Sequence, residues 1–303
     1  MMLLSWGDGA SSNVANIRPV SFKLALVQPI AHHPPDDERN VADAVAAIAR
    51  LAARGADVVM FPETYPGPWR MPARFDPTVA IVEAATTHGV CVEFGTLEPI
   101  DERKGTAHNT LVLALADGTT HVYRRTHPPG PWLYTGGRDW EFQYVAADDD
   151  YAVVPTPHGI FAQAMCSEVY VPEVARALAL RGAEVIFMPA GTDKRKLWET
   201  WRTLLWARAI ENIAVVVTTQ NLWSHRERGM ALVATPEQIL FESAEAGEFL
   251  IDIDLERVRA MRADVDGVES GTVYASKAGL LTQWQRPEMY QKFLPAETAS
   301  PHR

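Results

Sequence analysis

Residues 159–176 read GIFAQAMCSEVYVPEVAR, and this segment combines an apolar run, a cysteine and the start of a helical pattern. The run 160–165 is typical of a buried strand and ends at Cys166. Pro172 and Glu173 then begin a helix. A thiol at a strand-to-helix junction lies near N–H groups that favour the thiolate. Cys166 is therefore either a nucleophile presented to a cleft or a small buried hydrophobe, which is the commoner fate of a free cysteine.

Apolar runs and helical patterns alternate along the rest of the chain. The runs 22–28 and 57–61 flank a helical pattern over 40–54, which Gly55 ends. This alternation predicts an α/β fold. Further strands are predicted at 90–95, 109–115, 119–124, 151–155, 160–165, 184–188, 214–219, 230–235, 239–241 and 248–252, and further helices at 77–88, 172–181, 196–212 and 255–262.

The pattern predicts a single folded domain. Residues 1–20 are polar and aperiodic and are interpreted as an N-terminal tail, residues 21–275 as the domain, and residues 276–303 as a tail or an arm that contacts another subunit.

Composition narrows the function classes. The 303 residues are 47% hydrophobic and 22% charged, and the net charge of −10 argues against nucleic acid or an anionic membrane as the main partner. Two cysteines without CxxC spacing predict neither a disulfide framework nor a zinc site, and scattered histidines predict no other metal. No cofactor loop, membrane span or signal peptide is recognised, so a cytoplasmic location and a small-molecule substrate are expected.

Three groups that could do chemistry follow predicted strands. Glu63 follows the run ending at 61, Arg125 follows the strand 119–124, and Cys166 follows the run 160–165. Ligand sites of α/β folds lie at such strand ends. A carboxylate could act as general base for the thiol, and a fixed cation could stabilise an oxyanion. Taken singly, Glu63 could equally be a turn carboxylate, and Arg125 a surface cation.

Several ordered motifs resemble the nitrilase superfamily of carbon–nitrogen hydrolases. They are Phe61-Pro62-Glu63, Cys166-Ser167-Glu168 followed by Pro172-Glu173, and residues 207–212, within a likeness that covers residues 21–262. The resemblance implies an α-β-β-α four-layer sandwich that forms a homodimer or a higher homo-oligomer. It also implies a Glu–Lys–Cys triad, in which Glu63 is the general base and Cys166 the nucleophile.

The third member of the triad departs from the family pattern. Residues 123–127 read YRRTH, so Arg125 stands where the superfamily has its catalytic lysine. Arginine can hold an oxyanion but does not give up its proton, so Arg125 can replace a lysine that stabilises charge and cannot replace one that shuttles a proton. Residues 128–137 also lack the glutamate that the family often places there and are rich in proline and aromatic residues.

Further residues flank the same strand ends. Glu168 is predicted either to bind a substrate amine or to serve as a helix-entry carboxylate. Glu211 is predicted to pair with an arginine in the core. The candidate aromatic substrate-binding residues are Tyr65, Trp132, Tyr134 and Tyr170, each of which could instead be packing.

These features predict a thiol-dependent hydrolase of a small non-peptide C–N bond, in an amide, a carbamoyl group or a nitrile. Two alternatives stay open: altered chemistry on the same thiol, such as acyl transfer, cyclisation or nitrile hydration, and a binding or regulatory protein that has lost turnover.

Overall fold

Two β-sheets pack face to face in the computed structural model, which describes residues 21–128, 143–148, 151–191, 196–263 and 286–290. The first sheet has the strand order β13 (Gly247–Asp254), β1 (Ser21–Gln28), β2 (Val58–Met60), β3 (Cys91–Asp101), β4 (Thr106–Ala114) and β5 (Thr120–Arg124), with β6 (Gln143–Tyr144) beside β4. The second sheet has the order β12 (Ile239–Ser243), β11 (Ala231–Ala234), β10 (Val215–Thr218), β9 (Val185–Phe187), β8 (Gly159–Gln163) and β7 (Val153–Thr156).

The first two helices cover the outer face of the first sheet, the next two cover the outer face of the second sheet, and the fifth packs at the core between the sheets. In chain order they are α1 (Arg39–Ala53), α2 (Thr78–His88), α3 (Pro172–Leu180), α4 (Trp198–Asn212), α5 (Glu256–Ala263) and α6 (Pro287–Tyr290), with a 3₁₀ turn at Cys166–Tyr170. None of the helices within the described ranges is long and apolar enough to cross a membrane.

Three apolar layers show the order of the sandwich. Leu24 of the first sheet and Phe187 of the second belong to one core between the sheets. Ile48 of α1 lies in a second core on the outer face of the first sheet. Leu205 of α4 lies in a third core on the outer face of the second sheet. The layers are therefore α, β, β, α, and the predicted fold class is confirmed.

The central strands of each sheet are parallel and buried on both faces. Strand β2 pairs in parallel with β1 and β3, and β9 pairs in parallel with β8 and β10. Every residue of β2 and β9 is buried, as expected for strands covered on both sides. The segments that follow β2, β8, β9 and β10 therefore leave the sheets at the carboxyl ends of parallel strands, where α/β folds place their ligand sites.

Most predicted elements in the described ranges agree with the structure to within one or two residues. Strand β3 is longer than predicted, because pairing with β4 continues over residues 96–101, although only residues up to 97 are buried. The two-residue strand β6, the 3₁₀ turn and α6 were not predicted. Residues 1–20 and most of 264–303 lie outside the described ranges, so the domain limits stay a prediction.

Candidate active site

A tight turn after β2 positions Glu63. The N–H of Phe61 donates to the carbonyl of Glu93 at 2.8 Å, and the N–H of Gly95 donates to the carbonyl of Tyr65 at 3.0 Å. A Cβ atom at Gly95 would lie 2.1 Å from the backbone nitrogen of Thr64. Only glycine at this position in β3 therefore allows the turn to lie against the sheet.

The two carboxylate oxygens of Glu63 have different surroundings. Oε1 accepts hydrogen bonds from Asn109 Nδ2 at 2.6 Å and from Arg125 Nη1 at 3.0 Å. No hydrogen bond reaches Oε2 from the described residues. The side chain is only 6% exposed. Glu63 is therefore held firmly through one oxygen and keeps the other available for a proton.

Arg125 connects Glu63 to the turn that carries Cys166. The guanidinium contacts Glu63 through Nη1 and donates from Nη2 to Ser167 Oγ at 2.6 Å. The residue is 2% exposed. Burial opposes its charge, but the nearby Glu63 and Cys166 raise the pKa of Arg125 above its ordinary value. The side chain is therefore a permanent cation between the proposed base and the residue next to the proposed nucleophile.

Cys166 begins the 3₁₀ turn in an unusual backbone conformation. Its φ angle is 49°, in the left-handed region that residues with a side chain rarely adopt. Such a conformation costs on the order of 1–3 kcal/mol and persists only where neighbouring contacts enforce it. One of these contacts is the hydrogen bond from the N–H of Cys166 to the carbonyl of Pro189 at 2.8 Å. The residue is buried but retains 9% exposure.

Glu168 fixes this turn to the loop that follows Arg125. It is fully buried, and Oε1 accepts the backbone N–H groups of Thr126 at 3.1 Å and of His127 at 3.0 Å. Oε2 accepts the N–H of Met165 at 2.8 Å. These contacts match the helix-entry carboxylate that was one of the two interpretations of Glu168. Its described contacts position the turn beside Arg125.

Helix α4 supports the same turn from the second sheet's outer side. Arg208 donates from Nε to the carbonyl of Val169 at 3.0 Å and from Nη1 to Glu211 at 2.5 Å. The predicted pairing of Glu211 with a core arginine is confirmed.

The two predicted aromatic residues that the structure describes, Tyr65 and Tyr170, pack in different parts of the molecule. Tyr65 is buried in the core under α1, where its ring lies 5.6 Å from that of Phe61. Tyr170 is 47% exposed and contacts Trp201 of α4 edge-on. Two further predicted residues, Trp132 and Tyr134, lie outside the described residues, so their role stays a prediction.

Three residues in this cluster were missed by the sequence reasoning. Asn109 and Ser167 bind the charged pair directly. Tyr144 lies near Glu63, and burial and the charge of Glu63 raise the pKa of its hydroxyl group above the ordinary value. A polar Asn109 at the end of an apolar run was the only available signal, since the other two contacts depend on loop paths.

Residues 23–263 match the model of the carbon-nitrogen hydrolase family. The chain belongs to the carbon–nitrogen hydrolase family. Among its curated relatives is N-carbamoylputrescine amidase of Arabidopsis thaliana, which is 26% identical over 295 residues, covering 86% of this chain and 91% of the relative. Deaminated glutathione amidase of Synechocystis sp. is 26% identical over 255 residues, covering 78% of this chain and 93% of the relative.

Solved structures of the nitrilase superfamily share the fold of this carbon–nitrogen hydrolase. An amidase from Nesterenkonia sp. is 20% identical with a TM-score of 0.70, and the match covers 94% of this chain and all of that one. A variant of the Nesterenkonia amidase, at 20% identity and a TM-score of 0.71, carries the acetamide moiety of fluoroacetamide covalently added at its active-site cysteine; it matches over 93% of this chain and all of that one.

Proposed function

We propose that this carbon–nitrogen hydrolase cleaves the C–N bond of a small amide or carbamoyl compound through a covalent intermediate on Cys166. One observation carries the proposal: Arg125 joins the carboxylate of Glu63 to the turn that begins at Cys166. Relatives that act on amides or carbamoyl groups support the substrate class.

In the proposed reaction Glu63 removes the proton from Cys166. The available oxygen Oε2 takes this proton, while Oε1 stays bound to Asn109 and Arg125. The thiolate attacks the carbonyl carbon and forms a tetrahedral oxyanion. The oxyanion collapses, the C–N bond breaks, and the leaving nitrogen receives the proton from Glu63. Water, deprotonated by the same carboxylate, then attacks the thioester and releases the acid and the thiol.

Arg125 supplies the positive charge for both tetrahedral intermediates. A lysine in this position would provide one ammonium group, whereas the guanidinium keeps its geometry through Glu63 and Ser167. The charge is fixed before the reaction begins, which is the condition for effective oxyanion stabilisation. Each proposed proton transfer uses Glu63, so the reaction does not require Arg125 to lose a proton.

The experiment is a substrate screen with two readouts. The protein is incubated with N-carbamoyl amines, primary amides and nitriles, ammonia release is measured, and intact mass is recorded at early times. We expect ammonia from at least one carbamoyl or amide compound and an acyl adduct on Cys166. If no compound in the screen gives either ammonia or an adduct, the proposal is wrong.

The two cysteines give a matched pair of variants for this screen. Cys166→Ala should lose both the adduct and the ammonia. Cys91→Ala should retain both, because Cys91 lies in the core between the sheets and contacts none of the catalytic candidates. A product in which an added amine carries the acyl group, in place of the acid, would identify acyl transfer instead of hydrolysis.

A third variant tests the alternative of a protein that has lost turnover. Arg125→Lys restores the family pattern at this position. If the wild-type protein is inert and this variant releases ammonia, Arg125 has removed the activity, and the binding or regulatory interpretation is supported.

A further inference from the structure

Asn221 and Glu63 both lie close to Gly191, although they follow strands of different sheets. It follows β10, where the N–H of Ala190 donates to the carbonyl of Thr219 at 2.9 Å and the N–H of Leu222 donates to the carbonyl of Pro29 at 2.8 Å. These two bonds fix the backbone on either side of Asn221. The position of its side chain is therefore set by the ends of the central parallel strands.

Gly191 leaves a small gap next to Asn221 and the proposed base. A Cβ atom at Gly191 would lie 3.5 Å from Glu63 Oε2 and 3.6 Å from Asn221 Oδ1. Both oxygens therefore face the same space, and the Glu63 oxygen is the one that receives no hydrogen bond from the described residues. The absence of a side chain at Gly191 leaves this space open.

The amide of Asn221 is buried without hydrogen-bond partners. The residue is 2% exposed, and neither Nδ2 nor Oδ1 has a partner among the described residues. Asn40 and Asn109 are also fully buried, but both of their amides make hydrogen bonds. Buried polar groups in folded proteins are almost always paired. A buried amide that lacks partners next to a reactive carboxylate therefore indicates a group that is paired when a ligand binds.

We propose that Asn221 binds the nitrogen of the scissile C–N bond. In this arrangement Oδ1 accepts an N–H of the substrate, and Glu63 Oε2 transfers its proton to the same nitrogen. Such a hydrogen bond orients the leaving nitrogen towards its proton donor, because the two oxygens face one gap. This inference rests on the proposed function and adds the residue that recognises the nitrogen.

The chemistry of the gap predicts selectivity for substrates that carry N–H. An amide or a carbamoyl nitrogen can donate a hydrogen bond to Oδ1, whereas the alkoxy oxygen of an ester cannot. An ester would leave the amide of Asn221 unpaired. A site that hydrogen-bonds one substrate group binds analogues without that group much more weakly. The residue should therefore favour amides over esters of the same shape.

Two alkylating reagents test this selectivity without turnover. Iodoacetamide and methyl iodoacetate differ in an NH₂ and an OCH₃ group, and the same thiolate attacks both at the CH₂ carbon and displaces iodide. The rates at which the two reagents alkylate Cys166 are compared in a Cys91→Ala background, so that Cys166 is the one thiol that can react. Asn221→Leu should lower the ratio of the iodoacetamide rate to the methyl iodoacetate rate by about tenfold, the equivalent of roughly 1.4 kcal/mol. An unchanged ratio would overturn the proposal.

Thermal unfolding of the same variant separates recognition from a structural role. Replacing an unpaired buried amide with an apolar side chain of similar size should leave the melting temperature equal or higher. A structural Asn221 would instead show a lower melting temperature with an unchanged rate ratio. If Asn221→Leu fails to fold, Asn221→Ala replaces it in the same measurements.

Gly191→Ala provides a second, independent variant. The added methyl group would meet both oxygens at ordinary contact distances, so the fold should tolerate it while the gap is filled. We expect the same loss of iodoacetamide preference, and full retention of the preference would contradict the proposal.

The outcomes for the nitrogen-binding role and for hydrolysis are distinguishable. If no compound releases ammonia but the alkylation ratio depends on Asn221, hydrolysis fails and amide recognition stands. If ammonia is released and the ratio does not depend on Asn221, hydrolysis stands and recognition by this residue fails.

Discussion

Two buried carboxylates, Glu63 in the turn after β2 and Glu93 in the adjacent strand β3, have opposite surroundings. Glu63 is paired with the guanidinium of Arg125 at 3.0 Å and with Asn109 at 2.6 Å. Glu93 lies in β3 and is completely buried between the sheets, where Gln163 Nε2 reaches its two oxygens at 2.9 and 3.1 Å. The first carboxylate has a cation as its partner, and the second has a neutral amide.

The difference shows how the fold distinguishes the proposed base from a buried carboxyl group that has no cation beside it. Burial raises the pKa of Glu93 well above the ordinary value of 4.5, and the hydrogen bond from Gln163 only partly opposes this effect. Glu93 therefore holds a proton under conditions in which an exposed glutamate is charged. Glu63 is balanced by a permanent cation and keeps one oxygen available. The partner, more than the residue type, decides which carboxylate can act as a base.

The largest expected effect is the loss of the base. Glu63→Gln keeps the shape of the side chain but cannot accept the proton of Cys166. We expect ammonia release to fall on the order of 100- to 10,000-fold, the range that general bases contribute. Initial rates with the best substrate from the screen measure this. A loss of less than tenfold would show that another group activates the thiol.

Removing the partner of each carboxylate gives the next largest effect, on stability. Arg125→Met leaves the charge of Glu63 buried without its cation, which costs about 3–5 kcal/mol of unfolding free energy. Gln163→Leu removes a single neutral donor from Glu93 and should cost only about 1–3 kcal/mol. Urea denaturation of both variants measures the difference. Equal losses would mean that Glu63 and Glu93 have the same charge in the folded protein.

A smaller effect is expected in the pH dependence of stability. The unfolded chain loses the proton of Glu93 near pH 4.5, whereas the folded protein retains it to a higher pH because burial raises the pKa. The contribution of Glu93 to the unfolding free energy is therefore constant below pH 4.5. It falls as the pH rises from 4.5 towards the raised pKa. Glu93→Gln should remove this fall.

The measurement is urea denaturation of the wild type and of Glu93→Gln from pH 4 to pH 9. The difference between the two proteins should grow in favour of the variant as the pH rises, since other titrating groups cancel in the comparison. A constant difference over this range would contradict a raised pKa.

The sequence pattern predicted an α/β fold with three chemically capable groups after its strands, for physical reasons that hold locally, whereas the four-layer sandwich and the triad were implied by the resemblance to the nitrilase superfamily. Buried strands are short apolar runs, and residues at the carboxyl ends of parallel strands meet at one edge of a sheet. That rule was enough to predict that Glu63 and Cys166 could converge. The hydrogen bonds from Arg125 to Glu63 and to Ser167 now link the two segments.

The remaining details could not be predicted because they depend on backbone conformations without a sequence signal. Thr64 and Cys166 both have positive φ angles, although neither is the glycine or asparagine that usually marks such a position. The sharp turn at Thr64 directs Tyr65 into the core under α1, away from the pocket in which it was predicted. Asn221 lies far from Glu63 in sequence, so only the packing of the two sheets shows that both lie close to Gly191.

The smallest expected effect is that of Glu93→Gln on activity. The amide has nearly the shape of a protonated carboxylic acid, and among the described residues the side chain of Glu93 accepts hydrogen bonds from Gln163 alone. We therefore expect kcat/KM to stay within about twofold of the wild type at pH 7, in contrast to Glu63→Gln. Steady-state kinetics on the same substrate measure both variants. A loss above tenfold would place Glu93 in the proton pathway, and the contrast between a reactive and an inert carboxylate would no longer hold.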